Sequence, residues 1–374
     1  MKFLIKGLIV IIAAVLFMGC EGDYRKRAVG GFGEAVVVMD STMWDSSATA
    51  QAIRDTYGQA IKTMPNYEAM FDLRFRDFSN NDELEALKRN KNIIIAAPVN
   101  DSSEVSRLIR AMLDDQVEQR VKDRQSFAFP LQDHWYKDQW TIVLSSTSDS
   151  ALAEEIRSSS ETLVDNLMQK EFQRWTYEIY EDGEQYELED SLWTNNGWKI
   201  RIQHDWIKNV DTTYSANGRA NHFLTMRRPL PDNDRWFWAW WINDVKDPGF
   251  VDSEWINAKR DSLMEKWIRG TREDSYVTTE YRRPVNTDTL TLDGHKAYET
   301  LGTWRMTNDA MGGPFANMTI YDEEQERLFI LEFGQFAPKY SKRRFVRQFR
   351  TMLRTFKSDS TWNGSSTNQA VAQQ

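Results

Sequence analysis

The chain has 374 residues, of which 47 are Lys or Arg and 56 are Asp or Glu, giving a net charge of −9 at pH 7. Because an acidic chain repels phosphate groups, this balance argues against a nucleic-acid partner. The single Cys excludes an intramolecular disulfide framework and a cysteine-built zinc or iron–sulfur site. The length allows about two or three domains.

The amino terminus has the pattern of an export signal. Lys2 and Lys6 lead into an almost wholly apolar segment, residues 7–18. This segment is shorter than the ~20 residues that cross a bilayer, and it fits the apolar part of a signal peptide. Gly19 and Cys20 follow, and the junction resembles a bacterial lipobox, in which the Cys is acylated and becomes the first residue of the mature protein. We therefore predict a lipid such as palmitate on Cys20; a secretory peptide that leaves a free thiol is the alternative.

Residues 34–176 alternate between strand-like and helix-like patterns. Apolar runs rich in β-branched residues, or alternating with polar ones, predict strands at 35–39, 71–78, 92–98 and 139–145. Apolar residues at helical spacing predict helices at 47–64, 82–89, 101–121 and 149–175. This alternation indicates an α/β domain with a central sheet. A signal peptide (1–19) and a flexible tether (20–33) are predicted to precede it.

An acidic segment follows the first domain. Seven acidic residues lie between Glu178 and Asp190. Because so many charges are costly to bury, we predict a solvated linker over residues 177–197. A calcium site is the alternative, but the carboxylate spacing of an EF-hand is absent.

Strand patterns predominate after the acidic segment, and eleven of the fifteen Trp residues lie beyond residue 190. Strands are predicted at 198–203, 221–227, 235–243, 276–281, 287–292, 295–306, 315–321 and 327–336, and helices at 253–267 and 341–357. Their order indicates an α+β domain over residues 198–358, with a mainly antiparallel sheet and packed helices. The order also resembles that of PsbP-like sandwich domains. The polar segment 359–374 is predicted to be disordered.

Several short motifs together resemble one protein family. They are Arg89-Asn90, Gly302-Thr303-Trp304, Met311-Gly312-Gly313-Pro314-Phe315, Ala337-Pro338 and Lys342-Arg343-Arg344. The resemblance is to Bacteroidetes envelope lipoproteins that contain a domain of unknown function, and the Met-Gly-Gly-Pro-Phe pentapeptide is its most specific part. The resemblance implies a location in the envelope and an extent covering most of the mature chain. It implies no activity.

A run of aromatic residues at 235–242 is the first candidate binding site. In a strand, Trp236, Trp238 and Trp240 share one face. If this face is exposed, the three indoles form a stacking platform for sugar rings. If both faces are covered, the same residues form a core strand, because burying aromatic surface is strongly favourable. Burial of the three side chains distinguishes the two interpretations.

The pentapeptide Met311–Phe315 is the second candidate binding site. Gly312 and Gly313 permit backbone angles that are closed to other residues, and Pro314 restricts Gly313. We therefore interpret the segment as a loop of fixed shape that a ligand or another chain can approach closely. A tight structural turn between strands is the alternative.

The last predicted helix, 341–357, is amphipathic and basic. Its apolar face carries Phe345, Phe349 and Met352, and Arg and Lys residues occupy the rest of its surface. Such a helix packs on a sheet with its charged face in water, or lies on an anionic membrane. We favour the packed helix, with a membrane role left open for the exposed arginines.

Catalytic and metal-binding signals are weak, and we predict no catalytic residue, no metal site and no cofactor. No two of the four His residues have the spacing of a helical metal site, and no nucleophile elbow, P-loop or dinucleotide motif appears. We expect a lipid-anchored protein of the bacterial outer membrane, facing the periplasm, that acts as a non-catalytic binding or assembly component. Its partner would be an envelope protein or glycan. A hydrolase of envelope glycans or lipids and a carrier of an apolar ligand are the alternatives.

Overall fold

A computed structural model describes residues 24–362 of the chain. Cys20, the predicted signal peptide and most of the predicted disordered tail lie outside the described residues. The described part contains two main β-sheets with helices packed against them, in agreement with the predicted sequence of an α/β domain and an α+β domain. Among residues 24–362, no helix is both long enough and apolar enough to span a bilayer.

The first domain is built on a five-stranded mixed sheet with the strand order β2-β1-β3-β5-β4. Its strands are β1 (Glu34–Val38), β2 (Asp72–Arg76), β3 (Asn92–Ala96), β4 (Ala128–Gln132) and β5 (Trp140–Leu144). Its helices are α1 (Ser41–Ser46), α2 (Ala48–Tyr57), α3 (Asn81–Leu87), α4 (Glu104–Met112), α5 (Asp115–Lys122), α6 (Asp149–Ser158) and α7 (Ser160–Tyr180). Only β4 runs antiparallel to its neighbour.

Two long helices predicted for this domain are each divided in two. The predicted helix 101–121 breaks after Met112 because Asp114 begins α5, its carboxylate accepting from the Val117 N–H at 2.8 Å. The predicted helix 149–175 breaks at Ser159, which ends α6 and precedes α7. Strand β4 escaped prediction because its sequence contains Pro130 and has no regular apolar alternation.

The second domain is built on an eight-stranded antiparallel sheet with the order β10-β12-β13-β14-β9-β8-β7, in which β11 also pairs with β12. Its strands are β7 (Ile207–Ala216), β8 (Arg219–Leu230), β9 (Asn233–Ile242), β10 (Val277–Thr279), β11 (Asn286–Leu292), β12 (His295–Met306), β13 (Gly312–Asp322) and β14 (Arg327–Phe336). Its helices are α8 (Tyr186–Asn196), α9 (Ser253–Trp267) and α10 (Arg343–Leu353). A short antiparallel pair, β6 (Trp198–Lys199) and β15 (Lys357–Ser358), joins the two ends of the domain.

The two faces of the eight-stranded sheet are covered by different helices. Phe349 and Leu353 of α10 pack on one face, with Trp241 of β9. Helix α9 packs on the opposite face, where Trp238 contributes to a second core. Because neighbouring strand residues point to opposite faces, one aromatic strand supplies both cores.

Helix α10 also joins the two domains, since it lies between the sheet and helix α7. The carboxylate of Glu68 accepts from the backbone N–H groups of Lys342 at 2.6 Å and Arg343 at 2.8 Å, at the start of α10. One turn later, Arg347 forms an ion pair at 3.3 Å with Glu171, which is fully buried. The basic face of α10 is therefore directed at acidic groups of the protein, which supports the packed-helix interpretation.

The acidic segment predicted as a linker, residues 177–197, is helical over most of its length. Helix α7 continues to Tyr180, and α8 follows from Tyr186. Its acids do not all lie in water: Glu189 is buried and accepts from the Ile202 N–H at 2.8 Å. The linker prediction is wrong because Leu188 and Leu192 have helical spacing and contact the core of the second domain. The number of acidic residues alone does not reveal this helix.

The tether predicted over residues 20–33 is shorter in the structure. The Lys137 N–H donates to the Lys26 carbonyl at 3.0 Å, and the Val29 N–H donates to the Arg89 carbonyl at 2.7 Å. The side chain of Phe32 stacks on Trp175, with ring centroids 4.2 Å apart. From Lys26 onward the chain therefore belongs to the folded body.

Candidate functional site

A cavity of about 300 Å³ lies on the α9 face of the eight-stranded sheet, beside the carboxyl end of that helix. It lies at the end of the sheet that carries the β8–β9 and β12–β13 hairpins. Its apolar wall is formed by Val210, Trp236, Trp267, Ile268, Val277, Trp304, Met306, Met311 and Phe336. The volume is at the lower end of the range of about 300–1,000 Å³ that is usual for small-molecule sites.

The aromatic wall is held rigidly. The rings of Trp236 and Trp304 meet edge to face with centroids 4.9 Å apart, and Trp304 lies 6.4 Å from the ring of Phe336. The indole N–H of Trp304 donates to the Gln335 carbonyl at 3.1 Å. On the other side, Trp267 stacks on Phe223 at 4.8 Å. Because each ring is fixed by a neighbour, the cavity does not depend on a ligand for its shape.

Two glycines allow these rings to lie against the strands. A Cβ atom on Gly334 would come within 2.5 Å of the Trp236 ring. A Cβ on Gly313 would overlap the Gln335 carbonyl oxygen and lie 3.0 Å from the indole nitrogen of Trp304. The absence of these side chains therefore makes room for the wall of the cavity.

The loop interpretation of Met311–Phe315 is wrong. Residues 312–315 are the start of β13 and pair with β12, where Gly313 lies opposite Trp304 and Pro314 opposite Thr303. Neither Gly312 nor Gly313 has a positive φ angle, so close approach rather than an unusual backbone angle explains the two glycines. Met311 is half-buried and lines the cavity.

The exposed Trp platform is also absent. The exposed fractions of Trp236, Trp238 and Trp240 are 7%, 0% and 2%, so all three belong to the core on the α9 face. Trp238 and Trp240 lie away from the cavity, whereas Trp236 forms part of its wall. The structure therefore brings together Trp236 and Met311 from the two candidate segments and separates Trp238 and Trp240 from them.

The rim of the cavity carries both acidic and basic side chains, which pair with one another. Arg227 forms an ion pair with Asp234, and Arg272 lies 3.6 Å from Asp309. Both rim carboxylates therefore have an Arg partner within the protein. The cavity thus combines an apolar interior with paired charges at its mouth.

The carboxyl groups with a raised pKa lie elsewhere in residues 24–362. Burial raises the pKa of Glu332, whose two oxygens accept from the Arg260 guanidinium at 2.7 and 2.8 Å beneath α9. Burial also raises the pKa of Glu189. Glu332 and Arg260 are both fully buried, so a substrate cannot reach this pair. Within the same residues, no three His, Cys, Asp or Glu side chains converge as a metal site would require.

Several wall residues escaped the sequence analysis because they come from distant segments. Trp267 ends α9, Trp304 lies near the end of β12, and Phe336 ends β14. Each reads as an ordinary core aromatic in its own segment. The pair of glycines at 312 and 313 was the one sequence signal of this cavity. It indicates a close approach, but only the structure shows that the Trp304 ring and the Gln335 carbonyl are what approach Gly313.

Two family models match the chain. Residues 28–180 match the model described as domain of unknown function DUF8532, and residues 191–355 match domain of unknown function DUF4837. No curated protein matches the chain. The cavity lies within the residues that match DUF4837. The chain is therefore similar to two families of domains of unknown function, one in each half.

Proposed function

We propose that the protein is a non-catalytic, lipid-anchored component of a bacterial cell envelope that binds a small apolar ligand in the cavity beside α9. The observation that carries this proposal is the rigid wall of Trp236, Trp304 and Phe336 around about 300 Å³ of space. Placing an apolar molecule there removes its surface and that of the rings from water, which stabilises the complex by ~25 cal/mol per Å² of apolar area.

The charges of the cavity favour binding over hydrolysis. A glycosidase needs two carboxyl groups roughly 5–10 Å apart, one of them held uncharged by a raised pKa. At this cavity both acids, Asp234 and Asp309, are paired with arginines. Both carboxylates are thus engaged by guanidinium groups of the protein itself.

The lipid anchor rests on the sequence alone, because Cys20 lies outside the described residues. The only Cys of the chain stands directly after an apolar signal-like segment. Two or more acyl chains on one residue give durable membrane attachment, since each buried CH₂ contributes ~0.8 kcal/mol. We expect attachment to the outer membrane with the body in the periplasm.

Titration with 1-N-phenylnaphthylamine, a neutral apolar fluorophore, tests the cavity. Saturable binding at one site per chain is expected, with energy transfer from the wall indoles. Met311→Glu should weaken binding at least about tenfold, because a carboxylate is costly to desolvate in an apolar site. Tyr67→Glu is the matched control: this side chain is 79% exposed in the other domain, and its replacement should leave binding unchanged.

Two results would contradict the proposed ligand site. One is the absence of saturable binding by the unaltered chain. The other is equal binding by Met311→Glu and Tyr67→Glu, provided that both melt like the unaltered chain.

Fractionation of cells that express Cys20→Ala tests the anchor separately. The unaltered protein should remain with the membranes after a high-salt wash, and Cys20→Ala should appear in the soluble fraction. Retention of Cys20→Ala in the membrane through the wash would overturn the anchor and leave the cavity proposal standing.

A further inference from the structure

We propose that one edge of the first sheet is a surface that contacts anionic lipid headgroups. This anchor-side surface consists of residues that precede β1, β3 and β5, namely Lys26, Arg27, Lys88, Arg89, Lys91 and Lys137. The inference rests on the proposed lipid at Cys20 for its orientation, and it adds a second contact between the protein and the membrane.

The path of the chain brings this surface close to the anchor. Backbone hydrogen bonds fasten the amino-terminal segment to the body, with Ala28 donating to Lys137 at 2.9 Å and Lys91 donating to Val29 at 2.8 Å. Only five residues lie between Cys20 and Lys26, and an extended chain spans at most ~3.6 Å per residue step, so the six steps reach about 20 Å. A lipid on Cys20 would therefore hold this edge of the sheet beside the bilayer.

Three of the nearby acids are paired with cations, and one of these cations, Lys88, belongs to the surface itself. Lys170 lies 3.5 Å from Asp133, and Arg174 lies 3.1 Å from Asp138. The carboxylate of Glu85 is paired with Lys88 at 2.6 Å. Glu178 and Glu181 line an adjoining cavity of about 530 Å³ together with Arg27 and Lys91.

The remaining cations keep their charge available. Within residues 24–362, none of Lys26, Arg27, Arg89, Lys91 and Lys137 forms an ion pair at 4.0 Å or less. Lys26, Arg27 and Arg89 are exposed. Each Lys or Arg near an anionic membrane contributes ~1 kcal/mol, so this group is sufficient to bias the orientation of the protein.

Exposed aromatic side chains accompany the cations. Tyr24 is 93% exposed and Tyr177 is 58% exposed. The guanidinium of Arg27 lies over the Tyr177 ring, 5.2 Å from its centroid. Tyr has an apolar ring and a polar tip and is enriched at membrane–water interfaces. Charge and aromatic content therefore favour the same face.

The rest of the protein has the opposite charge. The whole chain carries a net charge of −9, so an anionic membrane repels its other faces while attracting this one. The expected result is a body that presents this surface to the headgroups in one preferred orientation.

Vesicle sedimentation tests this surface without the lipid anchor. A chain beginning at Glu21, which keeps every described residue, is mixed with vesicles of phosphatidylcholine alone or with added phosphatidylglycerol. Binding is expected with phosphatidylglycerol only, and it should fall as salt screens the charges. The variant Lys26→Glu/Arg89→Glu should bind about tenfold more weakly or less.

The matched control is Arg219→Glu/Lys246→Glu, which changes the net charge equally at two exposed residues of the second domain outside α10. It should bind like the unaltered chain. Equal weakening by both double variants would show that only net charge matters and would overturn the proposed surface. No binding of the unaltered chain to phosphatidylglycerol vesicles would also overturn it. Neither outcome depends on Cys20, because the chain used here begins at Glu21. The lipid anchor is tested separately by the fractionation of Cys20→Ala.

Discussion

The two faces of the eight-stranded sheet both carry aromatic cores, but the cavities beside them differ. The cavity at the end of α9 has an aromatic wall, whereas a larger one of about 970 Å³ beside α10 is lined in part by charged side chains such as Glu299, Arg350 and Arg354. On the α10 face, Phe349 is fully buried and stacks on Phe333 at 5.3 Å. On the opposite face, α9 ends at Trp267 and leaves a cavity between its end and the strands. Aromatic content alone therefore does not identify the proposed ligand site, which lies where α9 ends.

The largest expected effect is a loss of stability on the α10 face of the sheet. Phe349→Ala removes a fully buried ring and should lower the free energy of unfolding by about 3–5 kcal/mol. Chemical denaturation measures this loss. Binding of 1-N-phenylnaphthylamine to the folded variant should be unchanged, because Phe349 lies on the opposite side of the sheet from the cavity. Impaired binding by a folded Phe349→Ala would break the distinction between the two faces.

The next effect concerns the ion pairs that fasten α10. Glu299 of β12 is 3% exposed and accepts from Arg350 at 3.0 and 2.6 Å, and also from Arg354. Glu299→Gln leaves two guanidinium groups without their counterion and should lower the free energy of unfolding by about 3 kcal/mol. A loss below 1 kcal/mol by denaturation would show that solvent compensates for these charges.

The same carboxylate predicts a dependence of stability on pH. Burial alone would raise the pKa of Glu299, but Arg350 and Arg354 hold it at about 2 in the folded protein, below its ordinary value of 4.5. Because the folded pKa is depressed, the contribution of Glu299 to stability is complete above pH ~4.5 and is lost as the pH falls toward 2. Denaturation across this range should show a steeper loss for the unaltered chain than for Glu299→Gln. Parallel curves would contradict the prediction.

A matched pair of methionines gives the sharpest contrast, and one of its members gives the smallest effect on stability. Met318 is fully buried on the α10 face, and Met311 is half-buried at the cavity beside α9. Met318→Ala should cost about 2–5 kcal/mol, and Met311→Ala should cost less than about 1 kcal/mol. The order should reverse for the fluorophore, whose affinity only Met311→Ala lowers. If Met318→Ala had the larger effect on both stability and fluorophore binding, the proposed difference between the two faces would be wrong.

The sequence was most informative where one pattern decided the structure. The predicted bounds of α9, β12 and β14 coincide with the observed ones, because their apolar spacing is regular and turns flank them. Strand β7 was missed because it is a polar edge strand, with only one neighbour and little apolar surface to bury. Helix α8 was missed because its acids conceal a helix with Leu188 and Leu192 on one face.

The cavity could not be predicted from the sequence because several strands and the end of one helix form it together. Its walls come from β8, β9, β12, β14 and the segment after α9, which are far apart in sequence. Spacing within one strand identifies Trp236 as an aromatic on a given face, but it contains no information about where the covering helix ends.

Native mass spectrometry of the protein purified gently from its own envelope tests the central claim most directly. The unaltered protein should carry one small apolar molecule per chain, and Met311→Glu should carry none, while Tyr67→Glu retains it. Two results would contradict the proposed ligand site beside α9. One is an unaltered protein that is always empty, and the other is a Met311→Glu variant that retains as much ligand as the control.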